Sequence, residues 1–139
     1  SKGANLLHTI RQLAKDDELW RQTLRGLNKE FYHSTVTTGE IEEYISENIG
    51  MDLSKVFDQY LRDYRVPVFE YEITNGVLMY RWNDVIDGFD MPVEVIIDGE
   101  NKVLNPTTEF KNIPIKNLYI NVDNNYYIYT KDLKIIIDS

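Results

Sequence analysis

The chain has 139 residues, 42% of them hydrophobic, a formal net charge of −8 and no cysteine. That length suffices to bury a core, while the acidic balance argues against non-specific binding to nucleic acid or anionic membrane, which needs clustered Lys and Arg. The missing thiols exclude disulfides, thiolate zinc sites and cysteine nucleophiles.

Residues 2–15 place Leu6, Leu7, Ile10, Leu13 and Ala14 on one helical face, in a helix that opens without a cap, as one cut from a longer chain would. Asp16, Asp17 and Glu18 put acids at the start of a second helix, whose apolar stripe continues through Trp20, Leu24, Leu27 and Phe31. Gly26 inside it lowers helix propensity, and a close helix crossing accounts for it. Thr37 to Glu40 matches the S/T-x-x-E capping box, Ile41, Tyr44, Ile45 and Ile49 follow, and Gly50 suits a left-handed C-cap. A fourth helix has Asp52 as N-cap and carries Leu53, Val56, Phe57, Tyr60, Leu61 and Tyr64 on one stripe. It ends at Arg65-Val66-Pro67, because Pro67 lacks an amide donor and pushes Val66 out of the α region.

From Val66 onward the period changes to two. Phe69, Tyr71 and Ile73 alternate with Glu70, Glu72 and Thr74, the pattern of a strand buried on one face. Asn75-Gly76 predicts a type I′ hairpin joining residues 68–74 to 77–82. Further strands are predicted over 92–97, ending at Asp98-Gly99, and over 102–104, 107–111, 117–122 and 126–129. Residues 133–137 form a last apolar run, an edge strand or an ordered tail. The spacing predicts a sandwich. The fold class is therefore α+β: about four short α-helices over 1–65, followed by an immunoglobulin-like antiparallel β-sandwich over 66–139.

These residues carry no catalytic constellation. His8 and His33 are the only imidazoles, and neither belongs to H-E-x-x-H. His8 borders an apolar stripe, and His33 ends the second helix, where a cation complements the dipole. Glu40, Glu42, Glu43 and Glu47 read as a solvated face of the third helix. Asp84, Asp87 and Asp90 flank Gly88 without calcium-loop spacing. No glycine-rich phosphate loop occurs, and no Ser or Thr has a visible base partner. The expectation is no catalytic, cofactor-binding or metal-binding residue in this chain. Ten tyrosines and Trp82 open another possibility, since exposed rings on a sandwich can stack on sugars or on partner side chains. Tyr126, Tyr127 and Tyr129 must point to both faces, so about half should be core.

In order, Lys2-Gly3-Ala4, Leu7, Ile10-Arg11, Trp20, Thr38 opening a helix, Asp52-Leu53, Phe57, Tyr60 and Val66-Pro67 entering a strand form a pattern that resembles the M1 family of zinc aminopeptidases. The resemblance covers Lys2 to about Ile73; beyond that, the match is a sandwich in the right place. In that family two histidines of H-E-x-x-H and a downstream glutamate bind one zinc, the motif's glutamate is the general base, and a G-x-M-E-N segment anchors the substrate amine. None of these occurs in this sequence. The family tyrosine that stabilises the oxyanion stands two positions before the Lys-Gly, which falls one residue ahead of Ser1. Only Lys2 and Gly3 carry over, as helix-packing residues beside the site.

The resemblance thus implies the non-catalytic C-terminal portion of a zinc aminopeptidase, supporting the catalytic domain and flanking its substrate cleft. Zinc would be the parent's cofactor, with none in this fragment. Its partners would be the rest of the catalytic domain and the parent's peptide substrate, with no nucleic acid and no membrane insertion; the isolated fragment could self-associate through surface left by absent helices. The other reading of the same residues is a β-sandwich binding module for carbohydrate or a protein partner. No apolar run spans a bilayer and no signal peptide is visible, so a soluble protein of cytoplasm or periplasm is expected, with the compartment left open.

Overall fold

A computed structural model describes residues 2–32, 34–63 and 65–134. Helices α1 (Lys2–Ala14), α2 (Asp17–Phe31), α3 (Thr38–Ile49) and α4 (Ser54–Phe57) come first, and α4 runs directly into a π-helical turn, Asp58–Arg62. Strands β1 (Val68–Thr74), β2 (Val77–Asn83), β3 (Val93–Ile97), β4 (Glu100–Leu104), β5 (Lys111–Pro114), β6 (Asn121–Val122) and β7 (Tyr129–Asp132) follow. They form two sheets, ordered β5-β2-β1-β7 and β4-β3-β6. The α+β architecture is the expected one, with one departure: β7 runs parallel to β1, so the larger sheet is mixed.

Local chemistry explains the helix boundaries. Asp16 caps α2 by accepting from the Leu19 amide at 3.0 Å. Thr37 and Glu40 exchange both bonds of the capping box, and Gly50 closes α3 at φ 77°. Gly26 marks a close crossing, because a Cβ there would run into the Tyr44 hydroxyl of α3. Asp52 differs from expectation. The cap position of α4 is Leu53, and Asp52 instead accepts from the Ser54 amide at 3.0 Å.

The buried stripes also differ in detail. Leu7, Leu24 and Leu61 are 46%, 36% and 38% exposed, while Thr9, Thr23 and Gln59 are buried in their neighbourhood. The threonines bury without penalty because each hydroxyl donates back to the carbonyl four residues earlier, Asn5 at 2.9 Å and Leu19 at 2.8 Å. Gln59 turns inward because a π turn holds more residues per turn than an α turn and so rotates the stripe. Tyr64, His33 and residues 135–137 of the last apolar run lie outside the described residues.

The Asn75-Gly76 hairpin has the predicted register, Val68 opposite Asn83 through Thr74 opposite Val77, with φ 51° and 75° at its two central residues. Three other predicted strands are displaced. Instead of 107–111, the strand is β5, because Thr107 already accepts the Trp82 amide and turns with Glu109. Of 117–122 only β6 pairs, since Asp98 takes up the Asn117 amide at 2.7 Å and the Lys116 amide at 3.0 Å. Of 126–129 only Tyr129 is extended in a ladder, because the helices capture the backbone of Tyr127.

The Asp98 carboxyl is held below its ordinary value of 3.8 by the Asn117 amide first and the Lys116 amide second. A depressed carboxylate stabilises the fold above the unfolded-state value, and that contribution is lost as pH falls through the lower folded-state value. Asp98→Asn should therefore flatten the decline in melting temperature below about pH 4. An unchanged acid limb in a pH series would remove Asp98 from this role.

Among the described residues the buried hydrophobics form one cluster, running from Leu6 on α1 through Leu53, Val56, Phe57 and Tyr60 to Phe69, Trp82, Phe89 and Tyr126. Phe69 is against Trp82 at 5.8 Å and Trp82 against Phe89 at 5.4 Å, both edge to face.

Candidate functional site

Several side-chain-to-backbone hydrogen bonds meet where α1 and the π turn pack against the strand half. The π turn buries two consecutive residues, Gln59 and Tyr60. The Gln59 amide donates to the Arg65 carbonyl at 2.8 Å and the Asp84 carbonyl at 3.4 Å, and its oxygen accepts from the Ile86 amide at 2.7 Å. Tyr60 donates to the Tyr127 carbonyl at 2.7 Å, while the Tyr127 amide donates to the Thr9 hydroxyl at 3.1 Å. Further along α1, Gln12 donates to Asp123 at 2.7 Å. Two helical elements thus hold residues 123–127 in place of a neighbouring strand.

Next to this junction lies an open cleft of about 620 Å³ lined by His8, Arg11, Gln12, Lys15, Asp17, Glu94 and Asn125. His8, Arg11 and Lys15 come from the outward side of α1, and Lys15 ends that helix in a left-handed conformation at φ 57°. Arg11 donates to Asp17 through Nε at 3.0 Å, and Lys15 stands 3.6 Å from Glu94. The Arg11 pair holds Asp17 below its ordinary carboxylate range. Among the described residues no hydroxyl or thiol nucleophile lines this cleft, so its chemistry is charge pairing and hydrogen bonding. The nearby phenols are poor proton carriers at neutral pH. Burial first, then the Asp123 and Glu94 carboxylates, push Tyr126 up to about 12, and burial raises Tyr60 as well.

Other acidic residues occupy separate places. On α3, Glu43 and Glu47 are solvated, Glu40 serves the capping box, and Glu42 departs from the expected solvated face by taking Arg62 through both its oxygens, at 2.6 and 3.2 Å. Asp84, Asp87 and Asp90 are exposed in the loop after β2. No group of three or more His, Asp or Glu side chains among the described residues could hold a metal ion. His8 is exposed at the cleft.

One buried charge was not foreseen. Glu70, on the polar side of the β1 alternation, is only 3% exposed. It lies opposite Arg81 of β2 and Lys131 of β7 in the ladder, accepts from Arg81 at 2.8 Å and from Asn83 at 3.3 Å, and lies 3.9 Å from Lys131. Phe110 covers the Arg81 guanidinium at 4.4 Å. Cross-strand neighbours made this burial tolerable, and they are set by topology that a linear alternation does not show. Of the clustered tyrosines, Tyr126 is core whereas Tyr127 and Tyr129 are 38% and 61% exposed. No helix among the described residues is long and apolar enough to cross a membrane.

No protein-family model and no curated protein matches the sequence. Among solved structures, the fold is similar to that of Legionella pneumophila aminopeptidase A, determined in complex with aspartic acid, with a TM-score of 0.69 and 15% identity. The similarity covers 94% of this chain and 17% of that one, so the helices and both sheets together correspond to a small part of an aminopeptidase chain.

Proposed function

We propose that this chain is the non-catalytic C-terminal portion of an M1-like zinc aminopeptidase, residues 1–65 completing the helical catalytic domain and residues 66–139 forming a sandwich domain. The observation that carries this reading is that the likeness to an aminopeptidase chain runs across the helices and the sandwich as one arrangement, over 94% of the residues. The ordered sequence pattern from Lys2 to Val66-Pro67 supports the family.

Zinc hydrolysis needs three protein ligands, a base and an open coordination position held together. Among the described residues no group of three His, Asp or Glu side chains could hold a metal ion, and in this reading the ligands and the base belong to the rest of the parent. The contribution of the present residues is mechanical: the Gln59, Tyr60, Thr9 and Gln12 contacts fix the helices on a rigid sandwich. Peptide substrate and the rest of the catalytic domain are the partners in this reading.

The test is the upstream reading frame together with the full-length product. An H-E-x-x-H within a few hundred residues, and chelator-sensitive hydrolysis of an aminoacyl amide by the full-length protein, are the expected results. The 139-residue chain alone should hold no tightly bound zinc after dialysis and should not turn over the amide. A frame without the motif overturns the reading. In that event the exposure of Tyr119 and Tyr129, at 64% and 61%, favours the binding-module alternative.

A further inference from the structure

We propose that β4, Glu100–Leu104, is a self-association edge: two copies of this chain pair antiparallel through it, centred on Asn101, and join their smaller sheets into one. The partner is a second copy because, at that register, the charges of the edge are complementary to themselves. The inference stands apart from the peptidase reading and does not depend on it.

Backbone geometry leaves this edge open. β4 lies at one end of the order β4-β3-β6, so one of its sides has no neighbouring strand. The two-residue turn Asp98-Gly99, with φ 52° and 79°, makes Ile97 and Glu100 a hydrogen-bonded pair. Alternation then directs the backbone groups of Glu100, Lys102 and Leu104 toward β3 and those of Asn101 and Val103 outward. The far side of β3 agrees, since Glu94, opposite Val103, gives its carbonyl to the Asp123 amide.

Other edges are poorer templates. β5 ends in Pro114, which has no amide to donate, and β6 is two residues long. β4 has five extended residues with neither proline nor a positive φ.

Side chains select the register. Glu100 and Lys102 are exposed, and neither has an ion-pair partner among the described residues. Lys102 acts on Asp98, but that carboxylate already accepts the Lys116 and Asn117 amides. A lone lysine on an edge repels a second strand. Here an acid stands two positions away. In a pair centred on Asn101, Glu100 of each copy lies opposite Lys102 of the other, while the two Asn101 residues exchange their outward amide bonds. Val103, 45% exposed, then falls opposite Gly99 of the second copy, where no side chain obstructs it. Centring on Lys102 also suits the backbone, but it sets the two lysines directly opposite each other. Centring on Val103 leaves both charges unmatched.

The test is sedimentation equilibrium of the 139-residue chain. A contact of one five-residue strand from each copy is small, so a weak dimer is expected, with a dissociation constant of about 10 μM to 1 mM that rises with salt. Glu100→Lys and Lys102→Glu, taken singly, should each weaken it by about tenfold or more, since both cross-strand pairs become like-charged. Mixing the two variants should restore association as a heterodimer, because every pair is then Glu against Lys. The double exchange, Glu100→Lys with Lys102→Glu in one chain, should restore the homodimer. Recovery on mixing also shows that both variants are folded.

A wild-type chain that stays monomeric to about 1 mM overturns the proposal. So does a dimer indifferent to the single substitutions, or one lost in both and regained neither on mixing nor in the double exchange. A dimer broken by Leu7→Asp and untouched by Lys102→Glu assigns association to the helices and overturns it as well.

Discussion

Trp82→Ala should lower the unfolding free energy by about 3 to 5 kcal/mol, the range for removing a large buried aromatic. Trp82 is 1% exposed at the centre of the sandwich. Its ring meets Phe69 and Phe89 edge to face, so truncation leaves a cavity bordered by two rigid rings that cannot collapse into it. The indole also donates to the Met91 carbonyl at 2.9 Å, and alanine leaves that buried acceptor without its partner. Trp82→Phe separates the two contributions. It keeps most of the volume and loses the hydrogen bond, so it should cost roughly 1 to 3 kcal/mol. Urea titration measures both, and a loss under about 1 kcal/mol for the alanine variant would mean the sandwich core is not organised around this ring.

Gln59→Leu should be nearly as damaging although it removes no buried volume to speak of. Leucine leaves the Ile86 amide and the Arg65 and Asp84 carbonyls without their side-chain partner at the junction of helices and sandwich. An orphaned buried backbone group costs about 1 to 3 kcal/mol. The two short bonds, at 2.8 and 2.7 Å, dominate, so a loss of about 3 kcal/mol is expected. Tyr60→Phe, which removes only the hydroxyl bonded to Tyr127, should cost about 0.5 to 1.5 kcal/mol. The ordering is the diagnostic feature. A Gln59→Leu variant no weaker than Tyr60→Phe would show that the π turn does not depend on its glutamine.

The two variants report on different joints of the molecule. Trp82 tests how the larger sheet holds the loop after β2, and Gln59 tests how the helices hold that same loop. If the contacts of Gln59, Tyr60, Thr9 and Gln12 couple the two parts, Gln59→Leu should leave a single cooperative transition at lower denaturant rather than reveal two.

Local chemistry in the sequence was enough to determine several elements. The Thr37 and Glu40 capping box, the Gly50 cap and the Asn75-Gly76 hairpin are decided by neighbouring residues alone, and each occurs as the sequence predicts. The change from helix to strand around Pro67 is of the same kind, since a missing amide and a fixed φ act locally. The glycine at position 26 was interpretable as a close crossing, but not the identity of Tyr44 as its partner. The fold class followed from these signals because helical and strand periods are properties of single segments.

What only the tertiary structure decided depends on groups distant in sequence. The expected strand over 126–129 dissolves because Thr9 and Tyr60, 118 and 67 residues away, take up the backbone of Tyr127. Glu70 is buried because β2 and β7 bring Arg81 and Lys131 beside it, and the parallel placement of β7 has no local signature. The cleft beside α1 exists because a helix near one end of the sequence meets the turn at Asp123 and Asn125, and no spacing within either segment foretells it. Backbone groups must find partners somewhere; periodicity shows which segments will seek them, and only the packed chain decides which residues supply them.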